Sequence, residues 1–287
     1  MPSTTEAARA GLSVVVLTYR NAPFLDAQLR SLRGQLRPCD EIVVTEDGPY
    51  PGTREVIAAH GDHLAIRHVS HPDDGRRLCL ARNRGILEAR NSLILTLDHD
   101  VIFQPGSIER LRNTIRPGWA IGLRRVMIDA RETELTVERS ASGRSTSWTR
   151  LRLLSLCRRW EGRRFLFPMR RRDCTVPSQT WRGCAGFGLM VSRDDLDRVN
   201  GFDARYDGES YTEDLDLFAR LDHAGVKFAH PDYRCSVGHL EHGRPDQDLT
   251  SRNYAFLEDV LDRRTVRASV GLAELEEAMH TGSNAAR

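Results

Sequence analysis

The sequence predicts an α/β fold in which a largely parallel sheet is flanked by helices. Short apolar runs alternate with amphipathic segments of helical length along the first third of the chain, a pattern typical of βαβ units. The last of these runs, residues 93–97, ends abruptly at Asp98-His99-Asp100. Its unbroken apolar character indicates a strand that is buried on both faces.

The strand and helix segments follow one another in a regular order before Asp98. The predicted strands are residues 12–17, 41–45, 64–69 and 93–97, and the predicted helices between them are residues 23–36, 53–60 and 76–90. Parallel sheets of this kind bind ligands beyond the carboxyl ends of their strands. We therefore expect the polar residues that follow these strands to converge on one edge of the sheet.

The middle of the chain is less regular. A helix is predicted over residues 107–115 and a strand over 119–124, followed by a Ser- and Gly-rich loop at 140–147. Residues 149–172 combine nine arginines with leucines and aromatic residues. One interpretation is a helix that packs its leucines on the sheet and exposes its arginines. The other is contact with an anionic acceptor or with lipid head groups at a membrane surface.

Regular structure returns near Trp181. Small residues at 183–188 precede a predicted strand, a short helix is expected at 194–199, and Thr212 is a candidate N-cap for a helix that begins with Glu213-Asp214. Residues 282–287 are polar and expected to fray. The predicted organisation is a first half at 12–124, an insert at 125–180, a second half at 181–262 and a tail at 263–287.

Composition limits the classes of protein. The 287 residues carry a net charge of +2, which argues against a nucleic-acid binder. Mean hydropathy is −0.46, and no apolar run approaches the roughly 18 residues that span a membrane. Residues 1–11 lack a hydrophobic secretory core, so a cytoplasmic protein is expected, with membrane-peripheral attachment as the alternative. The six cysteines show no CxxC spacing, so neither a zinc ribbon nor a disulfide framework is indicated.

Each polar motif has an ordinary structural explanation when it is taken alone. Aspartates at 98 and 100 could open a turn, and Asp47-Gly48 is also a turn signal. Glu213 and Asp214 could complement the dipole of the helix that they begin.

Together, five segments resemble the family 2 glycosyltransferases, which have the GT-A fold. These segments are residues 14–21, 46–48, 81–85, 98–100 and 213–214. Residues 235–239, Cys-Ser-Val-Gly-His, are similar to the segment with the metal-binding histidine in polypeptide N-acetylgalactosaminyltransferases and galactosyltransferases. The resemblance implies a Rossmann-like mixed sheet in a single domain with an Arg-rich insert.

The resemblance also implies roles for particular residues. Asp214 stands where inverting members carry the general base, and Glu213 where a residue binds the acceptor or the donor sugar. Asp100 and His239, together with Asp98, are the implied metal ligands, and His242 competes with His239. Manganese is the first expectation, because a mixed set of nitrogen and oxygen ligands suits it better than it suits calcium, and magnesium is the second.

The implied donor contacts come from the strand ends and from the third helix. Thr18 and Asp47 correspond to positions that hold the uracil or ribose, Arg82 to a basic residue near the nucleotide, and Asp98 to a ribose contact. Tyr19 and Arg20 are further candidate contacts.

The expected function is metal-dependent transfer of a sugar from a nucleotide diphosphate donor, with UDP preferred, to an acceptor hydroxyl. Asp214 favours inversion, although the enzymes that share the segment at 235–239 are retaining and carry an amide at that position. The acceptor stays open among a glycan, a lipid-linked glycan, a peptide and a secondary metabolite. One alternative is an inactive carbohydrate-binding module. A sugar nucleotidyltransferase is disfavoured because residues 18–23 contain no glycine, and an oxidoreductase because the first turn lacks G-x-G-x-x-G.

Overall fold

The computed structural model describes residues 11–158, 160–167, 177–178, 181–206, 212–243 and 252–281, which form a mixed α/β fold. The strands are β1 (Leu12–Thr18), β2 (Glu41–Asp47), β3 (Ile66–His71), β4 (Leu93–Asp98), β5 (Val101–Phe103), β6 (Trp119–Gly122), β7 (Arg125–Ile128), β8 (Pro177–Ser178), β9 (Gly188–Ser192), β10 (Lys227–Ala229) and β11 (Val237–Leu240). The helices are α1 (Ala22–Leu32), α2 (Pro51–His60), α3 (Leu78–Glu88), α4 (Ser107–Thr114), α5 (Ala130–Ala141), α6 (Trp148–Cys157), α7 (Arg193–Val199), α8 (Glu213–His223), α9 (Arg252–Arg263) and α10 (Leu272–Thr281). The predicted fold class is confirmed.

The main sheet has the strand order β3-β2-β1-β4-β9-β6-β10-β8. Its first four strands are parallel, whereas β9 runs antiparallel to both β4 and β6. All residues of β1 and β2 are buried, as expected for strands with helices on both faces. Leu17 pairs with Asp98 and Thr18 pairs with Glu46, so the carboxyl ends of β1, β2 and β4 meet at one edge.

A small sheet of order β5-β11-β7 lies beyond the end of β4. Its central strand β11 is antiparallel to β5 and parallel to β7. Because His239 pairs with Val101, the histidine lies next to Asp100. The backbone N–H of Leu240 donates to the carbonyl oxygen of Asp100 at 2.9 Å, which fixes this approach.

Helix α3 packs very closely on the main sheet. A Cβ on Gly85 would lie 2.5 Å from Cγ1 of Val15, so only glycine permits this contact. The hydroxyl of Thr45 donates to the carbonyl oxygen of Ala81 at 2.6 Å. This packing places Arg82, one residue further along α3, at the edge of the sheet where β4 ends.

The insert contains more regular structure than the sequence indicates. Helix α5 begins before the predicted loop at 140–147 and extends into its first two residues. Strand β6 is shorter than the predicted strand at 119–124, and β7 follows it. Helix α6 ends at Cys157, well before the predicted end of the amphipathic segment. Its buried face holds Trp148, whose Nε1 donates to the carbonyl oxygen of Phe103 at 3.1 Å. Residues 168–176 of the insert lie outside the described residues.

The exposed face of α6 carries Leu153 and Leu156, which are 61% and 62% exposed. Arg150 on the same helix pairs with both carboxylate oxygens of Glu132, at 2.8 and 2.9 Å. Arg150 thus lies outside the core as the first interpretation expects. The exposure of Leu153 and Leu156 contradicts the expectation that the leucines of this segment pack on the sheet.

The C-terminal part covers one side of the sheet. Thr212 directly precedes α8 as predicted, but its hydroxyl makes no capping hydrogen bond.

The fraying predicted for residues 282–287 concerns residues outside the described part of the chain. Among the described helices, none combines the length and hydrophobicity required to cross a bilayer.

Candidate functional site

A cavity of about 650 Å³ opens at the carboxyl ends of β1, β2 and β4, where open α/β sheets bind ligands. Eight of the ten site residues predicted from the sequence line it, namely Tyr19, Asp47, Arg82, Asp98, Asp100, Glu213, Asp214 and His239. The other two lie beside these residues in the chain. Thr18 is fully buried in β1, and Arg20 forms an ion pair with Asp73.

Asp100, His239 and His242 form a cluster that could hold a metal ion, because one ligand atom from each lies within 4.8 Å of the others. The Nε2 atoms of His239 and His242 lie 3.2 and 2.8 Å from Oδ2 of Asp100. Oδ1 of Asp100 is buried and has no hydrogen-bond partner within the part of the chain that the structure describes. A buried carboxylate oxygen without a donor is costly, and a cation at this position would satisfy it.

The titration of two of these three side chains, Asp100 and His239, suits a cation site. Burial raises the pKa of Asp100, but the hydrogen bond with His242 and the nearby histidines outweigh it, so the pKa lies below the usual value. Burial lowers the pKa of His239, whereas the hydrogen bond to Asp100 raises the pKa of His242. Near neutral pH the carboxylate is ionised and His239 is neutral, which are the states that bind metals.

Arg82 connects the two halves of the cavity. Its guanidinium donates to Oδ1 of Asp98 at 2.9 Å and to Oε1 of Glu213 at 3.3 Å. The arginine is 5% exposed, and its pKa is raised above the usual value because the charges of Asp98 and Glu213 outweigh the effect of burial. Arg82 therefore holds β4 and the first turn of α8 together as a permanent cation.

Asp214 lies at the start of α8 and faces the segment at residues 185–187. Burial and the charge of Glu213 raise the pKa of Asp214 to about 7, against the opposing charge of Arg82. Its Oδ1 accepts a hydrogen bond from the N–H of Leu215 at 2.8 Å. A carboxylate with this pKa can exchange protons near neutral pH, as a general base must.

Asp47 is held from two sides at the end of β2. Its Oδ1 lies 2.9 Å from Nε2 of His71, and its Oδ2 accepts from the backbone N–H of Arg77 at 3.0 Å. His71 and Asp47 are each 2% exposed. The side chain of Asp47 is thus fixed at the cavity wall by β3 and by the start of α3.

The segment after β1 forms part of the cavity rim. Tyr19 is 44% exposed, and its ring lies 5.2 Å from the guanidinium of Arg20. Arg20 adopts a φ of 46°, an unusual backbone conformation for a residue with a Cβ. Its guanidinium lies 2.5 Å from Oδ2 of Asp73, so the rim is closed by an ion pair between two loops.

Sequence patterns did not predict, or predicted only as an alternative, several residues that line or support the cavity. His242 lies in the metal-type cluster, and the His239-x-x-His242 spacing already signalled it as a competing ligand. His71 supports Asp47, and Arg125 and Phe187 line the cavity. No local pattern distinguishes Arg125 or Phe187, because a later pairing of strands brings them to the site.

The fold and this acid-rich cavity define a protein of the GT-A class, an α/β architecture shared by many glycosyltransferases. Residues 13–193 match the family model "Glycosyl transferase family 2", which is more than half of the chain. The chain therefore belongs to glycosyl transferase family 2. Residues 168–244 also match the model described as "N-terminal domain of galactosyltransferase", which covers the segment from β8 to His242.

Curated relatives match over a limited segment. A validoxylamine A glucosyltransferase from Streptomyces hygroscopicus subsp. jinggangensis (strain 5008) is 37% identical over 100 residues, which are 34% of this chain and 24% of the relative. A chondroitin synthase from Escherichia coli is 33% identical over 96 residues, or 33% of this chain and 14% of the relative. The match thus spans a quarter or less of either relative's length.

Solved structures are similar over most of the chain. The crystal structure of S. aureus TarS 1–349 in complex with UDP-GlcNAc gives a TM-score of 0.64 at 14% identity, with 92% of this chain and 69% of that chain covered. The mannosyltransferase PcManGT from Pyrobaculum calidifontis, in complex with GDP-Man and Mn²⁺, gives 0.54 at 16% identity, with 100% and 79% covered. At these identities the likeness shows the fold alone.

Proposed function

We propose that this chain is a metal-dependent glycosyltransferase that moves a sugar from a nucleoside diphosphate donor, with UDP as the first candidate, to an acceptor hydroxyl with inversion. One observation carries this proposal. The cation-type cluster at Asp100 and a carboxylate with a pKa of about 7, Asp214, line the same cavity. The UDP-GlcNAc bound to TarS and the GDP-Man and Mn²⁺ bound to PcManGT support this donor class.

Asp100, His239 and His242 would hold the cation. Their two imidazole nitrogens and one carboxylate favour manganese over calcium, which takes six to eight oxygen ligands, and magnesium is the second choice. When bound, a divalent cation stabilises the negative charge that develops on a diphosphate leaving group. Asp98 was also implied as a ligand, but its Oδ1 is engaged by Arg82. We therefore assign Asp98 to the donor ribose and His242 to the cation.

Asp214 supplies the general base. Its carboxylate accepts the proton of the acceptor hydroxyl while that oxygen forms a bond to the anomeric carbon. The bond between this carbon and the diphosphate oxygen breaks, and the diphosphate leaves with the electron pair. An amide at this position could not take the proton, so Asp214 favours inversion.

The donor is held by residues from the first half of the chain. Asp47 and Thr18 are assigned to the uracil or ribose, and Oγ1 of Thr18 is buried without a hydrogen-bond partner. Tyr19 and Arg20 contribute at the rim. Arg82 acts by fixing Asp98 and Glu213 for contacts with the donor and acceptor sugars.

The acceptor side is assigned to the insert at 125–180. The exposed Leu153 and Leu156 on α6, in a segment with nine arginines and one glutamate at 149–172, favour an anionic lipid surface as the place where the acceptor is met. Cosedimentation with phosphatidylglycerol vesicles tests this, since binding that survives replacement of both leucines by aspartate would contradict it.

The decisive experiment is a panel of nucleotide sugars with manganese and candidate acceptors. We expect release of nucleoside diphosphate and a product whose anomeric configuration, read by proton NMR, is opposite to that of the donor. Retention of configuration would contradict the role of Asp214. Binding of donors with no release for any acceptor or water would favour the inactive carbohydrate-binding module.

A further inference from the structure

We propose that Arg125 binds the diphosphate of the donor and stabilises it as it leaves. This inference rests on the proposed function and adds a residue that no motif in the sequence points to. Arg125 is the first residue of β7. It lines the same cavity as Asp100, His239 and Asp214.

The position of Arg125 is set by the small sheet and by one aromatic ring. Strand β7 pairs with β11 so that Arg125 is opposite Val237, two residues before His239. The guanidinium carbon of Arg125 lies 5.0 Å from the centre of the Phe187 ring. The same ring meets the imidazole of His239 edge to face, with centres 5.9 Å apart. Arg125 and His239 therefore share Phe187 as a common support.

The charges of the cavity explain why such a cation is needed. Six carboxylates of the described residues line the cavity, those of Asp47, Asp73, Asp98, Asp100, Glu213 and Asp214. A diphosphate that gains charge among these groups requires cations beside it. Among the residues that the structure describes, three arginines line the cavity. Arg82 holds Asp98 and Glu213, and Arg76 belongs to the loop before α3. Arg125 shares a support, Phe187, with His239 of the cation-type cluster.

The segment at 185–187 contacts the proposed base, Arg125 and a residue of the cation-type cluster. Gly186 lies against the carboxylate of Asp214, since a Cβ there would be 2.5 Å from Oδ2. The next residue, Phe187, contacts Arg125 and His239. Asp214 and Arg125 therefore contact successive residues of one segment, Gly186 and Phe187. Both side chains line the same cavity.

The chemistry of arginine fits this task. A guanidinium presents a planar set of donors that can bind phosphate through two parallel hydrogen bonds. The face of Phe187 orients the guanidinium through a cation–π contact. Lysine at this position would preserve the charge but not the paired donors. Diphosphate affinity is therefore expected to decrease from arginine to lysine to alanine.

The experiment measures binding rather than turnover. Calorimetric affinities for UDP and UMP are compared, with and without manganese, in the wild type, Arg125→Ala and Arg125→Lys. We expect Arg125→Ala to lose about tenfold or more in UDP affinity, as for a charged hydrogen bond, while UMP affinity changes less than about twofold. Arg125→Lys should lie between the wild type and the alanine variant. Arg124→Ala is the matched control, because Arg124 is adjacent but does not line the cavity.

The outcomes separate this inference from the proposed function. If the wild type binds no nucleoside diphosphate, the proposed function fails and Arg125 loses its assignment with it. If the wild type binds UDP and Arg125→Ala binds it equally well, the inference alone is wrong. Equal losses of affinity for UDP and UMP would also overturn it.

Discussion

Gly186 and Asp214 are in such close contact that no other residue type fits at position 186. A Cβ built on Gly186 would lie 2.5 Å from Oδ2 and 2.8 Å from Cβ of Asp214. The glycine thereby leaves room for the carboxylate at the cavity wall. It is a candidate positioning residue for the base.

We expect Gly186→Ala to lower kcat by about tenfold or more while donor affinity changes little, because the new methyl group displaces the carboxylate of Asp214 from the attacking hydroxyl. Steady-state kinetics and donor calorimetry measure the two effects. Gly61→Ala is the control, since a Cβ there meets nothing closer than 3.5 Å. A loss of donor affinity equal to the loss of kcat would contradict a role confined to the base.

The pKa of Asp214 predicts a pH profile. Since the base must be ionised and its pKa in the ligand-free protein is raised to about 7, we expect kcat/KM to fall about tenfold for each pH unit below that value. Asp214→Asn should abolish transfer and leave donor affinity nearly unchanged. A profile that is flat between pH 5 and about 8 would exclude Asp214 as the base.

The same pKa shift predicts an effect on stability. A carboxyl group whose pKa is higher in the folded than in the unfolded protein binds more protons when folded. Its contribution to stability is therefore lost as pH rises from about 4 to about 7. We expect Asp214→Asn to remove this loss and to raise Tm at pH 8, with a gain in free energy of unfolding on the order of 1–3 kcal/mol. Thermal melts at pH 5 and pH 8 check this, and an equal change at both would contradict it.

The proposed cation site predicts a difference between His242 and Asp98. Manganese should raise the Tm of the wild type and of Asp98→Asn, because ligand binding stabilises the folded state. We expect this rise to be lost in Asp100→Ala and strongly reduced in His242→Ala, since each loses one atom of the cluster. His280→Ala is the control, because His280 is exposed on α10 and distant in sequence from the cluster. If Asp98→Asn loses the rise and His242→Ala keeps it, the ligand assignment is wrong.

The strand ends could be predicted because their signals are local. An apolar run followed by Asp98-His99-Asp100 indicates a buried strand that ends at a polar edge of the sheet. This prediction does not depend on contacts with distant segments. The family resemblance then predicted that Glu213 and Asp214 belong to the same site. Their spacing in the sequence alone does not predict this. His239 was found through the local segment at 235–239.

The remainder depends on contacts between distant segments. Helix α5 was missed because its buried residues include Glu132, Thr133 and Thr136, so the helix lacks a strong apolar stripe. Arg125 is at the site only because β7 pairs with β11, more than a hundred residues later. The pairing of Asp47 with His71 likewise joins the ends of two strands, and neither residue alone predicts it.

The contact between His71 and Asp47 predicts an effect on uridine binding. Its Nε2 lies 2.9 Å from Oδ1 of Asp47, so its loss leaves a buried carboxylate oxygen without this partner. Such a loss costs about 1–3 kcal/mol, and we expect His71→Ala to weaken uridine binding by about tenfold. His71→Gln should recover part of the affinity, because its amide can donate to the same oxygen. His68→Ala is the matched control, since His68 lies on the same strand and its Nε2 lies 3.0 Å from Oε2 of Glu46. Glu46, unlike Asp47, does not line the cavity. Uridine calorimetry together with thermal melts separates positioning from folding, and equal uridine affinities in the two alanine variants would show that His71 does not orient Asp47.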